Sequence, residues 1–531
     1  VALSFICHKN NSTMVPSQLS PHPWGAILPS PLSPPMTTRS SSICGFVCPP
    51  SLARSSLLAM TPLRSTSSTP VATKLHATTK NYSAEWIDLL SPASYHSSTP
   101  PSLSLPGIID PPRSGAVSFT TPANDQLYTF AGYAEIASST PEEAASPERF
   151  VVNDLWKFVP YSPSEEEETS SSSWGWTKVS QSEVDYVPGP RLATALAVLP
   201  SSSSENSNDH PQAVLLGGWD PQTPGTGGVI LDDVAMLDLE SLQWSKSTAE
   251  KEEEATTVPG GPTSRHVAVP LSLQEEKETE DIRQVICLHN HRCDDHVLLL
   301  STTTATSDER GNNKLCTTWE HQPTTGDAPS SRGLHCAAPL NTPAGTSKAM
   351  VLFGGAAKDG FMSNESFVLD ARTWKWTKLD CEGDDADSDE VLLPAPRAGA
   401  CLCPLDENSV LLFGGATPGD GGLLGLNDVW VLNVDVEHGT GKWTCLVDNR
   451  QQSGGDAGME DGIVRPPGRN AHTLSRIDAK KMLPKELVSK DGDGADSVYY
   501  LLQGGWYPFR KTYNDVFLLR IDAKKRISRE E

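Results

Sequence analysis

From residue 81 onward, short apolar runs recur along the chain, and each ends in a pair of small residues. Leu127–Phe130 precedes Ala131-Gly132, Val214–Leu216 precedes Gly217-Gly218, and Met350–Phe353 precedes Gly354-Gly355. Val410–Phe413 before Gly414-Gly415 and Tyr499–Gln503 before Gly504-Gly505 complete the series. A run of this length stopped by glycine predicts a short buried strand ending where the backbone takes positive φ or approaches a neighbour closely. Several residues later a polar pair leads into a second apolar alternation, as in Asn153-Asp154-Leu155-Trp156 and Asn427-Asp428-Val429-Trp430. Asn and Asp favour a turn at that point. A lone tryptophan follows at Trp176, Trp244, Trp376 and Trp443, offering a large flat surface to bury between sheets.

Each unit opens with an arginine: Arg113, Arg191, Arg265, Arg332, Arg397 and Arg469, spaced 65 to 78 residues apart. Arginine at the start and tryptophan at the end predict four strands per unit. Such a sheet has two apolar faces and exposed edges, so a radial array of sheets is the arrangement that buries both faces. The order Arg, apolar run with Gly-Gly, Asn-Asp and Trp resembles the Kelch repeat over roughly residues 81–525. That resemblance implies an all-β, six-bladed β-propeller of the galactose-oxidase-like superfamily, with blades opening near residues 113, 191, 265, 332, 397 and 469.

The third unit is degenerate: Arg265-His266 opens it, His289-Asn290 stands where the glycines are expected, and Trp319 closes it. The sixth has no closing tryptophan, while Trp86 lies unclaimed before the first arginine. Residues 84–90 are therefore expected to supply the last strand of the last blade and close the ring. Acid- and serine-rich insertions at Ser164–Ser173, Pro200–Pro211, Ala249–Gly261, Asp380–Asp389 and Ser453–Gly462 read as solvated loops. They lengthen the repeat beyond the ~50 residues usual for such units.

Charge changes the picture at the N-terminus. The chain of 531 residues carries a formal charge of −24, yet residues 1–80 hold six Lys or Arg and no acid. This Ser/Thr/Pro-rich segment is expected to be a disordered extension, and its basic, acid-free composition suits an organellar transit peptide. Localisation then divides between a plastid or other organelle and the cytoplasm or nucleus. Residues 526–531 read as a tail. The acidic body disfavours nucleic acid, and no apolar run approaches the ~18 residues of a membrane span.

Chemistry is sparse. Cys287, His289, His291 and Cys293 would share one face of an extended strand and include a tetrahedral zinc donor set, if the chain turned near Asn290. The competing reading is a decayed blade. No G-x-S-x-G elbow, E-x-x-x-D-x-x-x-H iron motif or phosphate-binding loop occurs. The arginines read as structural, pairing with local carbonyls or acids, the alternative being a ring of anion-binding charges near the central channel; the closing tryptophans read as core. Loops between the Gly pair and the Asn-Asp strand carry Tyr133, Trp219, Asp220, Phe361, Trp506, Tyr507, Phe509, Arg510 and Lys511, residue types that dominate protein interfaces. The expectation is a monomeric, cofactor-free, non-catalytic scaffold that holds a protein or peptide through rim loops. The alternative is a metal-dependent lyase or oxidase on the same ring.

Overall fold

A computed structural model of the chain describes residues 81–91, 105–136, 147–162, 174–181, 186–200, 210–221, 228–248, 256–274, 282–305, 314–342, 346–383, 392–420, 422–449, 464–488 and 497–524. The expectations for residues 1–80 and 526–531, and for most of the acidic insertions, lie outside these residues. Asp380–Gly383, expected in a solvated loop, instead forms a strand parallel to Thr440–Val447.

Six mainly antiparallel sheets make the blades of a β-propeller. Blade 1 comprises Val117–Thr120, Leu127–Ile136, Glu148–Val159 and Gly175–Lys178. Blade 2 comprises Ala195–Leu199, Gln212–Asp220, Val229–Asp238 and Trp244–Lys246. Blade 3 comprises Val267–Gln274, Ile282–His289, His296–Ala305 and Lys314–Pro323. Blade 4 is formed by Cys336–Asn341, Ser347–Phe353, Ser366–Asp370 and Lys375–Lys378. Blade 5 is formed by Cys401–Pro404, Ser409–Phe413, Val429–Asp435 and Thr440–Val447. In blade 6, Thr473–Ile477, Ser497–Gln503 and Val516–Lys524 are joined by the N-terminal strand Asn81–Asp88. Both ends of the propeller thus meet in one sheet.

The first strand of each blade touches the first strands of both neighbours, making a closed cycle around a central channel. These inner strands tolerate proline because one edge needs no ladder donor. Pro270, Pro339 and Pro404 occupy equivalent positions in blades 3, 4 and 5.

Between blades, the closing tryptophans reach back to the blade before. Trp244 packs 4.7 Å from Phe130, Trp443 5.1 Å from Phe353, and Trp86 4.9 Å from Phe413, centroid to centroid. Each aromatic contact joins an outer strand to the second strand of the preceding sheet, so burial of one blade depends on the next. Among the described residues a single helical turn, Ala479–Met482, interrupts the otherwise all-β pattern. Met482, Leu483 and Leu487 pack with Phe158 and Trp174 in one core cluster, bracing blade 6 against blade 1.

Candidate contact face

Five blades share one polar latch. In blade 5, Arg397 makes bidentate bonds of 2.7 Å to both oxygens of Asp428 and donates to the Gly414 carbonyl at 2.9 Å. Its Nε donates to the Ala395 carbonyl, two residues back. Arg191 with Asp233 and Gly217, and Arg469 with Asp515 and Gly504, repeat the arrangement. Arg113 with Asp154 and Ala131, and Arg332 with Glu365 and Gly354, complete it. The arginine of a unit therefore clamps the Gly pair to the acid of the Asn-Asp strand.

The second glycine ties that latch to the next blade. Gly355 N donates to the Arg397 carbonyl and Gly415 N to the Arg469 carbonyl, both at 2.9 Å. A Cβ on Gly504 would lie 2.6 Å from the Arg113 carbonyl oxygen, and its φ is +64°, so glycine is required there twice over.

Two residues past the latch, the chain forms a feature that sequence reading missed. Gly115, Ala193, Arg265, Leu334, Gly399 and Ala471 all take positive φ, between 51° and 67°. Each N–H donates to the carbonyl of the equivalent residue in the preceding blade: Ala193 to Gly115, Arg265 to Ala193, Leu334 to Arg265, Gly399 to Leu334, Ala471 to Gly399 and Gly115 to Ala471. The distances run from 2.8 to 3.3 Å. This closed ring of backbone hydrogen bonds lines one mouth of the channel.

Blade 3 departs from the pattern, and the departure corrects two expectations. Arg265 is not a latch residue, because it occupies the ring position. The residue equivalent to the latch arginines is Thr263, whose carbonyl accepts from Gly218 N as the Arg397 carbonyl accepts from Gly355 N. Pairing of His289 with Val267 places His289 at the position of Phe353, so Asn290 and His291 stand where the glycines are, one residue later than expected. The acid position holds His296. Arginine, acid and glycines are lost together, as expected if an unpaired buried charge is costly.

The proposed zinc donors separate. Cys287 lies in the apolar core between blades 3 and 4, with its thiol pKa raised by burial. His289 packs between His335 and Trp376, and Cys293 caps the following turn through Asn290 N. His291 is exposed. Among the described residues, no three His, Cys, Asp or Glu side chains come together to hold a metal ion.

Beyond the Gly pairs, five blades extend on the same face. The long hairpins of blades 1 and 2 continue through Tyr133 and Trp219. Blade 4 turns through Ala356 to Met362, blade 5 adds the hairpin Ala416–Gly419 with Gly422–Gly425, and blade 6 adds Trp506–Tyr507 with Lys511–Thr512. Blade 3 has only the short turn after His289, which leaves a gap in the wall.

The structure divides the expected contact residues. Trp219 and Trp506 are 7 % and 1 % exposed, because the chain at each folds back onto the loop of its own inner strand, at Leu192 and Asn470. They are core residues and not a contact surface. Tyr133, Asp220 and Tyr507 are half-buried. Phe361 and Phe509 are 74 % and 54 % exposed, and Arg510 and Lys511 are exposed beside Phe509. Ile136, Val229 and Ile230 are further exposed apolar side chains on these hairpins, and no repeat position or local motif marks them. The far mouth of the channel opens into a cavity of 1220 Å³ lined by Ser118, Ser272, Ile282, Pro339, Cys403 and Arg476 among others.

Comparison with known proteins agrees with this architecture. Residues 301–483 match the family model described as the KLHDC2/KLHL20/DRC7 Kelch-repeats domain. The chain is 27 % identical over 203 residues to "Putative adagio-like protein 2" of Oryza sativa subsp. japonica, covering 37 % of this chain and 24 % of that protein. It is 30 % identical over 167 residues to "Host cell factor" of Drosophila melanogaster, covering 30 % of this chain and 10 % of that protein. The chain thus matches a quarter or less of the length of these relatives. With five latches of one design, blades bridged by aromatic contacts and a ring closed by the N-terminal strand, the chain is a six-bladed β-propeller whose repeats are similar to those of the Kelch-repeats domain.

Proposed function

We propose that the chain is a non-catalytic scaffold that holds a protein partner on the hairpin face. The observation that carries this reading is the placement of exposed apolar side chains. Of the eight large hydrophobic residues exposed among the described residues, Ile136, Val229, Ile230, Phe361 and Phe509 lie on the hairpins of this one face. Scattered apolar residues are ordinary on a protein surface, whereas their concentration on one face suits an interface. The hairpins are held by latched Gly pairs, so their apolar tips are presented with little ordering cost on binding. Kelch propellers are commonly interaction modules, which supports the same reading.

The test is capture from native extract with the full chain, with Phe361→Ala/Phe509→Ala, and with Ile282→Ala. Ile282 is equally apolar and exposed but lines the opposite cavity. A partner retained by the native chain and by Ile282→Ala, and reduced at least about tenfold by the double variant, is the expected result; tenfold corresponds to about 1.4 kcal/mol. Equal capture by the double variant, or loss only with Ile282→Ala, would remove this face from the account.

A further inference from the structure

We propose that Arg265 is the anion anchor of the hairpin face, and that the partner presents a side-chain carboxylate, an Asp or Glu flanked by apolar residues. This rests on the face assignment above and adds the chemistry of what the face takes.

Arg265 differs from every latch arginine. Each of the five latch guanidiniums has its own carboxylate, whereas Arg265 forms no ion pair among the described residues. Its backbone is fixed by the ring, with N donating to the Ala193 carbonyl and its own carbonyl accepting from Leu334 N, both at 2.9 Å. Its guanidinium lies 5.5 Å from the centre of the Trp219 ring, a contact that orients the planar group without neutralising it. Burial opposes its charge, yet a guanidinium stays protonated in proteins. A partly desolvated cation with no counter-charge gains from an incoming anion more than a solvated one does.

The surroundings define the anion. Arg265 borders a pocket of about 130 Å³ at the channel mouth, lined mostly by Gly and Ala together with Thr194, Leu334 and the buried His266, His335 and His472. Burial holds all three histidines far below their usual range, to about 3 for His266 and His472, so they are neutral near pH 7. Arg265 is then the one charge on that lining. A pocket of this size with a single cation suits a carboxylate, whereas a phosphate dianion would call for a second cation in contact. Beyond the rim, the short turn of blade 3 and the blade 4 loop bring Arg292 and Lys358 near His291. Asp294 lies at the same turn, and Asp295 is engaged by His296. Acidic side chains accompany these two cations, with Asp359 next to Lys358, so Arg265 itself, which has no ion pair among the described residues, is the charge that favours an acidic residue. Val229, Ile230 and Phe361 on the flanking hairpins supply the apolar contacts on either side.

The experiment is selection of a displayed library of random twelve-residue peptides on the full native chain, followed by titration of the best synthetic peptide. Its arms replace the acidic residue by alanine, replace it by phosphoserine, or leave the C-terminal carboxylate as the sole acid. Each is measured against the native chain, Arg265→Gln, Arg265→Lys and Phe361→Ala/Phe509→Ala, with thermal melts showing that the variants remain folded. The expected result is enrichment of internal Asp or Glu, at least a tenfold loss on removing either the acid or the guanidinium, and little further loss on removing both. Arg265→Lys should lose less than Arg265→Gln. Acid-free winners, no enrichment, unchanged binding by Arg265→Gln, or tighter binding of the phosphoserine or terminal-carboxylate arm would each overturn the proposal. Binding that needs Phe361 and Phe509 but not Arg265 would overturn the anchor and leave the face standing. Dependence on Arg265 without the phenylalanines would overturn the face reading and leave the anchor.

Discussion

Arg397→Ala is expected to destabilise the propeller by about 3–5 kcal/mol, because it leaves the Asp428 carboxylate buried without its counter-charge. Both partners of this pair are buried, and Asp428 keeps only the Trp430 indole N–H, at 2.8 Å, as a compensating side-chain donor. The Gly414 carbonyl loses its bond from Arg397 as well. Asp428→Ala should cost a similar amount by stranding the guanidinium. Replacing both, as Arg397→Met/Asp428→Leu, is expected to recover most of the loss, since the cost of a broken buried pair lies mainly in the partner left behind. Blade 3 already carries such a joint replacement, with Thr263 and His296 at the two positions. Denaturant unfolding of the three variants measures these differences; a loss below about 1 kcal/mol for either single change would show that the latch does not hold the blade.

The second large effect concerns closure. Deleting residues 81–91 is expected to abolish cooperative unfolding of the ring. The segment pairs along its length with the last strand, from Asn81 opposite Lys524 to Asp88 opposite Phe517. Trp86, Ile87 and Leu89 are buried, and Trp86 fills the interface between blades 5 and 6 against Phe413 and Phe517. Trp86→Ala alone should cost about 3–5 kcal/mol. The register supplies the control. Because Asn81 lies opposite Lys524, moving residues 81–91 to follow Lys524 through a short turn should rebuild the same hairpin and restore the transition. Calorimetry of the deletion and the transposed chain decides the matter. An unchanged transition in the deletion would mean that the ring closes without this strand.

Much of this was legible in the sequence because the repeat constrains residue types for local reasons. Gly-Gly marks a strand end with positive φ, Asn-Asp marks a turn, and Trp marks an outer strand, so blade number and the closing role of Trp86 could be read directly. Blade 3 was misread by two residues because Arg265 was aligned on its type, whereas Thr263 holds the backbone position. The hydrogen-bonded ring left no signal, since it joins main-chain groups of successive blades, far apart in the chain, and admits Gly, Ala, Leu and Arg alike. Trp219 and Trp506 looked like loop residues because they follow the glycines. Their burial depends on bridges to Leu192 and Asn470, contacts that no local pattern encodes. Phe361 and Phe509 could be found because nothing in the repeat calls for an aromatic there.

Hydrogen exchange of the full chain, alone and with a captured partner, tests the contact face most directly. The expected result is slowed exchange at residues 219–220, 228–230, 356–362 and 506–512, with no change at 270–274, 339–342 and 403–406 around the opposite mouth. Protection confined to the second set, with the hairpins unchanged, would contradict the account.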